Sequence, residues 1–257
     1  MSALLGIEFP PISHLIEWPD IFFEDTVFAI NKTTLIYFAS VIITLTIFFV
    51  ASRRAQLVPR GVQNIAESSV EFIREGVIMQ TIGVDGMRYL PFLLAMFFFI
   101  FFINIFEIVP FIQFPGNARM AVPFVLALLV WFIYNIVGIV KQGPLGYLKS
   151  STIPPGVPIF LLPLVALIEL VSTFIVRPFS LAVRLFANML AGHLILVTFA
   201  VLSAALWSKN VTAVILPFPF LLLIGLTAFE LLVAFLQAFI FTILTAVYIG
   251  TSMHPEH

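Results

Sequence analysis

The sequence predicts an all-α integral membrane protein with about five transmembrane helices, an interfacial amphipathic helix and a long, strongly tilted C-terminal helical hairpin. Composition is the first reason. Hydrophobic residues make up 61% of the 257 and charged residues 10%, against about 45–50% and about 25% in soluble domains. The mean hydropathy is +1.16. Such a chain cannot cover a water-facing surface, so its solvent is mostly lipid. The second reason is the recurrence of apolar runs of about 20 residues, the length that crosses a hydrocarbon core of about 30 Å. The third is one stretch between such runs whose apolar residues repeat with the helical period.

The elements follow in order, within a single membrane domain over residues 1–257. Residues 1–33 form a segment outside the membrane. Glu8, Glu17, Asp20, Glu24 and Asp25 precede any Lys or Arg, which fits neither a secretory signal nor a mitochondrial presequence. The first span is 34–51. Residues 61–80 place apolar side chains at 62, 65, 66, 70, 73 and 77 and polar ones at 63, 64, 67, 71, 74 and 75, a two-faced helix suited to the membrane interface. The second span is 90–111 and the third 121–140. The stretch "KQGPLGYLKSSTIPPGVP" that follows reads as a loop. Residues 159–207 stay apolar for nearly fifty positions, about 70 Å of helix at 1.5 Å per residue, so the chain here bends, tilts strongly or breaks. "WSKN" makes a turn, and 211–250 returns as the second arm of the hairpin.

Arg53, Arg54 and Arg60 follow the first span, and Lys141 and Lys149 the third. By the positive-inside tendency the N-terminus is outside and the C-terminus inside. With no Cys there are no disulfides and no thiolate metal sites. No metal and no cofactor is expected, and the net charge of −1 argues against a nucleic-acid partner.

A charge at the bilayer centre costs about 2.5–3.5 kcal/mol on insertion scales, so intramembrane polar residues carry the functional information. They are Asn104, Glu107, Glu169, Arg177, Ser180, Arg184, Asn188, His193, Glu230 and Gln237. At 100° per residue, Thr173, Arg177, Ser180, Arg184 and Asn188 share one helix face. His193, nine residues past Arg184, points the other way about 13.5 Å along. Glu230 and Gln237, seven apart, share a face of the last helix. Two polar zones result: a stripe around Arg184, and a set that joins His193 to Glu230 and Gln237 if the hairpin packs those faces together. Plainer readings stand beside these. Arg177 can snorkel to the interface, Glu107 can face water or a headgroup, and Asn104 and Gln237 can bind neighbouring helices. Arg184 has no plain reading. An arginine keeps its charge, and the nearest acid along its own helix, Glu169, is about 22 Å away by rise. Its counter-charge must come from another helix, another subunit or water.

"RPFSLAVRLFANMLAGH", followed by "ELLVAFLQAFIFTILTAVY", resembles subunit a of F-type ATP synthases, the membrane stator beside a rotating ring of c subunits. The similarity is strongest at "RLFAN", "AGH" and "LQAFIF" in that order, and weaker similarity covers nearly the whole chain. The resemblance implies a non-catalytic, proton-translocating subunit with no cofactor, partnered by the c-subunit ring, peripheral-stalk b subunits and lipid. It implies that Arg184 faces the ring carboxylate and separates two offset half-channels, with Asn188 and Gln237 close to it. His193 and Glu230 match a pair lining the outer half-channel, in the order typical of mitochondrial members and some bacteria. Ser180, Arg177 and Glu169 match the border of the inner one. Glu107 matches a position where several members carry an acid. The acidic N-terminus and the length suit a bacterial plasma membrane; a mitochondrial inner membrane is the alternative.

Two other function classes remain to be weighed. A self-contained channel or transporter calls for an inverted repeat, and none is visible. A membrane hydrolase calls for H-E-x-x-H or G-x-S-x-G, and the sequence has neither. His14, His254 and His257 lie near the termini, which leaves one membrane histidine and no bis-His haem.

Overall fold

The computed structural model describes residues 30–53, 56–109, 112–113, 116–153, 157–207 and 215–253. Among them, five helical stretches are long and apolar enough to cross a membrane, and the protein is an all-α membrane protein. Helix α1 runs Lys32–Arg53. Asn31 caps it: its Oδ1 accepts from the Thr34 backbone N–H at 3.0 Å and from the Thr34 hydroxyl at 3.1 Å, which satisfies donors that a helix start leaves open.

The amphipathic segment forms α2, Val62–Ile73, a π-helical turn Arg74–Ile78 and a last turn Met79–Thr81. Gly61 and Gly83 bracket it at φ 59° and 80°, a region open to glycine at little cost. Its faces differ from the sequence expectation. Val62 and Ile65 are exposed, while Gln63, Ala66, Ile73 and Val77 are buried. Gln63 turns inward because its amide is fully used. It donates to Gln56 O and Glu67 Oε1 at 2.9 and 2.7 Å and accepts from Gln56 N at 3.0 Å.

A 3₁₀ turn, Val84–Tyr89, leads into α3, Leu90–Ile105. The sequence predicts this span to 111, but the helix gives way to turns at 106–108. Pro110 in the sequence cannot carry the helix on to 111, since it has no N–H to offer Phe106 O. Helix α4 is Ala121–Gln142. The segment after it, expected as a loop, contains a further helix, α5, Pro144–Thr152. Pro144 at its first turn costs nothing, because that N–H lacks a helical partner anyway. Gly138 lets α4 and α5 close up: a Cβ there falls on the Tyr147 ring.

Helix α6, Leu162–Val171, a π-helical turn Ser172–Val176 and α7, Arg177–Leu206, form one stretch of 45 residues. Helix α8 runs Pro217–Met253. The turn expected at 207–210 lies, past Trp207, outside the described residues. A π turn leaves carbonyls without their usual helical partners, and here α4 supplies donors. Tyr134 Oη donates to Thr173 O at 2.6 Å and Trp131 Nε1 to Phe174 O at 3.1 Å. Thr173 therefore sits buried inside the π turn and leaves the regular α-helical register that the sequence assigned to the Arg184 stripe.

The chain divides into two compact units. One takes Met1–Val41, Phe99–Arg119 and Phe186–Gln237; the other takes Ile42–Phe98, Met120–Leu185 and Ala238–His257. The first packs Ile36, Ile100, Ile103, Met189 and Ala234 in its interior. The second packs Ile73, Val77, Leu93, Tyr134, Leu181, Leu185, Phe241 and Ile249.

Candidate functional site

The first unit gathers polar side chains from the end of α3, the middle of α7 and the middle of α8. Asn104 and Glu107 are each 4% exposed and His193 6%. A carboxylate so buried is costly unless partnered. Glu107 also stands just past the C-terminus of α3, where the helix dipole disfavours negative charge. His193 meets that need, with Nδ1 3.4 Å from Glu107 Oε1. Glu230 comes in from α8 at Gly192. A Cβ at Gly192 would lie 2.7 Å from the Glu230 carboxyl carbon and Oε2, so the missing side chain is the space the carboxyl group occupies.

Further along the same pair of helices, Asn188 Nδ2 donates to Gln237 Oε1 at 2.9 Å. From Asn188 to Gly192 the contact moves forward on α7; from Gln237 to Glu230 it moves back on α8. The arms are antiparallel, and Asn188 and Gln237 are their polar clasp. The direct partner of His193, however, is Glu107 and not Glu230. The hairpin alone does not hold this partner; it comes from the end of a third element, α3.

In the second unit Arg184 is exposed. No carboxylate among the described residues comes within ion-pair distance of it. Ile175, Val176 and Phe179 are about half exposed nearby on the same continuous stretch, a surface for an apolar medium rather than water. Arg177 lies over the Tyr248 ring, its guanidinium carbon 5.4 Å from the centroid, a cation–π contact. Ser180 Oγ donates to Arg177 O at 3.1 Å. Glu169, on α6 before the π turn, is half-buried and is joined to none of the others.

Comparison with known proteins is direct. Residues 34–250 match the ATP synthase A chain family. The chain is 42% identical over 247 residues to the ATP synthase subunit a of Frankia alni, covering 93% of this chain and 83% of that protein. It is 41% identical over 243 residues to the subunit a of Rhodococcus erythropolis, covering 93% and 88%. It is 41% identical over 231 residues to that of Beijerinckia indica, covering 89% and 89%. The chain belongs to the ATP synthase A chain family.

All ten polar positions singled out from the sequence fall inside the stretch matched to the ATP synthase A chain family. Two further residues of this family member come to notice only in three dimensions. Gly192 makes room for Glu230. Asn117, fully buried, donates through Nδ2 to Asn104 Oδ1 at 2.7 Å. Gly192 is visible in the sequence as the small residue before His193. Asn117 sits in a short 3₁₀ turn, Gly116–Ala118, where no periodicity marks which way a side chain faces.

Proposed function

We propose that this chain is the stationary, non-catalytic subunit a of a rotary ATP synthase, which conducts protons through two offset half-channels and so couples proton flow to turning of a c-subunit ring. The observation that carries the proposal is Arg184: a permanent cation, exposed on an apolar helix surface, with no described acid in reach. Such a surface fits an external carboxylate presented by a partner. The ring supplies that carboxylate in this reading, and the peripheral-stalk b subunits hold the chain still.

A proton from the outer side reaches the Glu107, His193 and Glu230 groups, with Asn104 beside them, and passes to a ring carboxylate. Once neutral, that carboxyl group can face lipid without the cost of burying a charge. After nearly a full turn it meets the inner path, bordered by Ser180, Arg177 and Glu169, and gives up its proton. Arg184, which in this reading acts together with Asn188 and Gln237, favours the ionised form of a carboxylate beside it. A fixed cation there also prevents a continuous proton wire between the two paths. A potential of 100 mV drives each crossing with about 2.3 kcal/mol. In this orientation, in a bacterial plasma membrane, the N-terminus is outside and the C-terminus inside.

The chain has no Cys, so single cysteines report contacts cleanly. In the whole complex, Ala187→Cys and Ala191→Cys, at exposed positions of α7, are expected to cross-link to ring subunits carrying a cysteine near their carboxylate. Ala182→Cys, fully buried, is not. Failure of both exposed positions to cross-link, with the complex intact, would remove the ring from the Arg184 face.

A further inference from the structure

The turn Gly116–Ala118 is pinned against its unit. Tyr37 Oη donates to Gly116 O at 2.6 Å, and Lys32 Nζ donates to Ile112 O at 2.7 Å. A Cβ at Gly116 would meet Ile103 Cγ2 at 2.7 Å and Ile36 Cγ2 at 3.5 Å, so the backbone approaches α3 and α1 as only a glycine allows. This holds the Asn117 amide in one place. Its Nδ2 is bonded to Asn104 Oδ1. Its Oδ1 is buried and has no hydrogen-bond partner among the described residues, while Glu107 Oε1 faces His193 Nδ1 at 3.4 Å, outside hydrogen-bond geometry. Asn104 and Glu107 are three residues apart, and Glu107 N bonds to Asn104 O at 3.3 Å, so the helical turn carries both on one side. An amide serving only to glue a turn to a helix would use both of its ends. Here the acceptor end stays open, in the same unit as the Glu107 carboxylate. A buried acceptor without a protein donor is commonly satisfied by a buried water.

We propose that Asn117 is a further residue of the outer proton path, holding through Oδ1 a water that passes protons to the Glu107–His193 pair. This rests on the proposed function, which makes that pair part of a conducting route. Asn104 is then the positioning residue that aims the Asn117 amide.

The test uses single cysteines in the whole complex in sealed vesicles, treated from either side with 2-aminoethyl methanethiosulfonate and read by mass spectrometry of the thiol. Asn117→Cys and Glu107→Cys are expected to react from the same side. Ala118→Cys, the buried neighbour at 3% exposure, is expected not to. Asn117→Leu, close in size but without an acceptor, should slow passive proton conduction at least tenfold, and Asn117→Asp, which keeps the acceptor, should conduct faster than Asn117→Leu. A reactive Glu107→Cys beside an unreactive Asn117→Cys overturns the assignment of Asn117 and leaves the outer path standing. No reaction at either position overturns both. Conduction at the wild-type rate in Asn117→Leu also overturns it; if that variant fails to assemble, the thiol result decides.

Discussion

Replacing Gly192 with alanine puts one methyl group where the Glu230 carboxyl group lies. The built Cβ sits 2.7 Å from the carboxyl carbon and from Oε2, whereas ordinary contact begins near 3.4 Å. The carboxyl group must therefore retreat by at least about 0.7 Å, the difference between those distances. The backbone has no reason to fail. Alanine in a helix interior is about 0.8–1.0 kcal/mol more favourable than glycine, so assembly should be unharmed. Misplacing a reacting group by about 1 Å can cost about 100-fold in rate, so we expect passive proton conduction to fall by about tenfold to 100-fold. The assay is the initial rate of potential-driven proton uptake by vesicles carrying the membrane sector, with the amount of complex measured in parallel. Gly192→Ala combined with Glu230→Asp shortens the acid by one methylene, about 1.5 Å, and should recover much of the loss. Wild-type conduction in Gly192→Ala, or a double variant slower than both singles, would refute the reasoning.

Other consequences concern the two units separately. Glu107→Gln leaves His193 without its acid, and a proton-relay role predicts a loss of about 100-fold in conduction, the low end for a general acid–base group; Glu107→Asp should keep a large part of the rate. Tyr134→Phe removes the donor to Thr173 O and leaves a buried carbonyl unsatisfied, a cost of about 1–3 kcal/mol. Thermal unfolding of the detergent-solubilised complex should begin at lower temperature, and an unchanged midpoint would mean the π turn does not depend on α4.

The sequence makes the spans plain because a hydrocarbon core demands about 20 apolar residues each time, whatever the packing. It also isolates Arg184, since a charge in lipid stands out by composition alone. The π turns are hidden. Nothing in "STFIV" or "REGVI" breaks the apolar or amphipathic pattern, and the donors that meet the carbonyls of the first, Trp131 and Tyr134, lie some forty positions away in the chain. Gln63 reads as surface by polarity, but its amide turns inward to Gln56 and Glu67. Glu107 was visible, but helical spacing cannot say that an acid past the end of α3 meets His193 on α7. Periodicity relates residues within an element; contacts such as Glu107–His193 and Asn117–Asn104 are made between elements.

The central claim is that Arg184 answers a carboxylate outside this chain and keeps the two proton paths apart. ATP-driven acidification of vesicles carrying the complete complex with Arg184→Leu tests it most directly, read beside passive proton conduction by the same vesicles. The account predicts that the complex assembles, that ATP-driven acidification stops, and that passive conduction persists or rises; Arg184→Lys should restore little, because an ammonium lacks the planar guanidinium fork. Normal ATP-driven acidification by the assembled Arg184→Leu complex would contradict it.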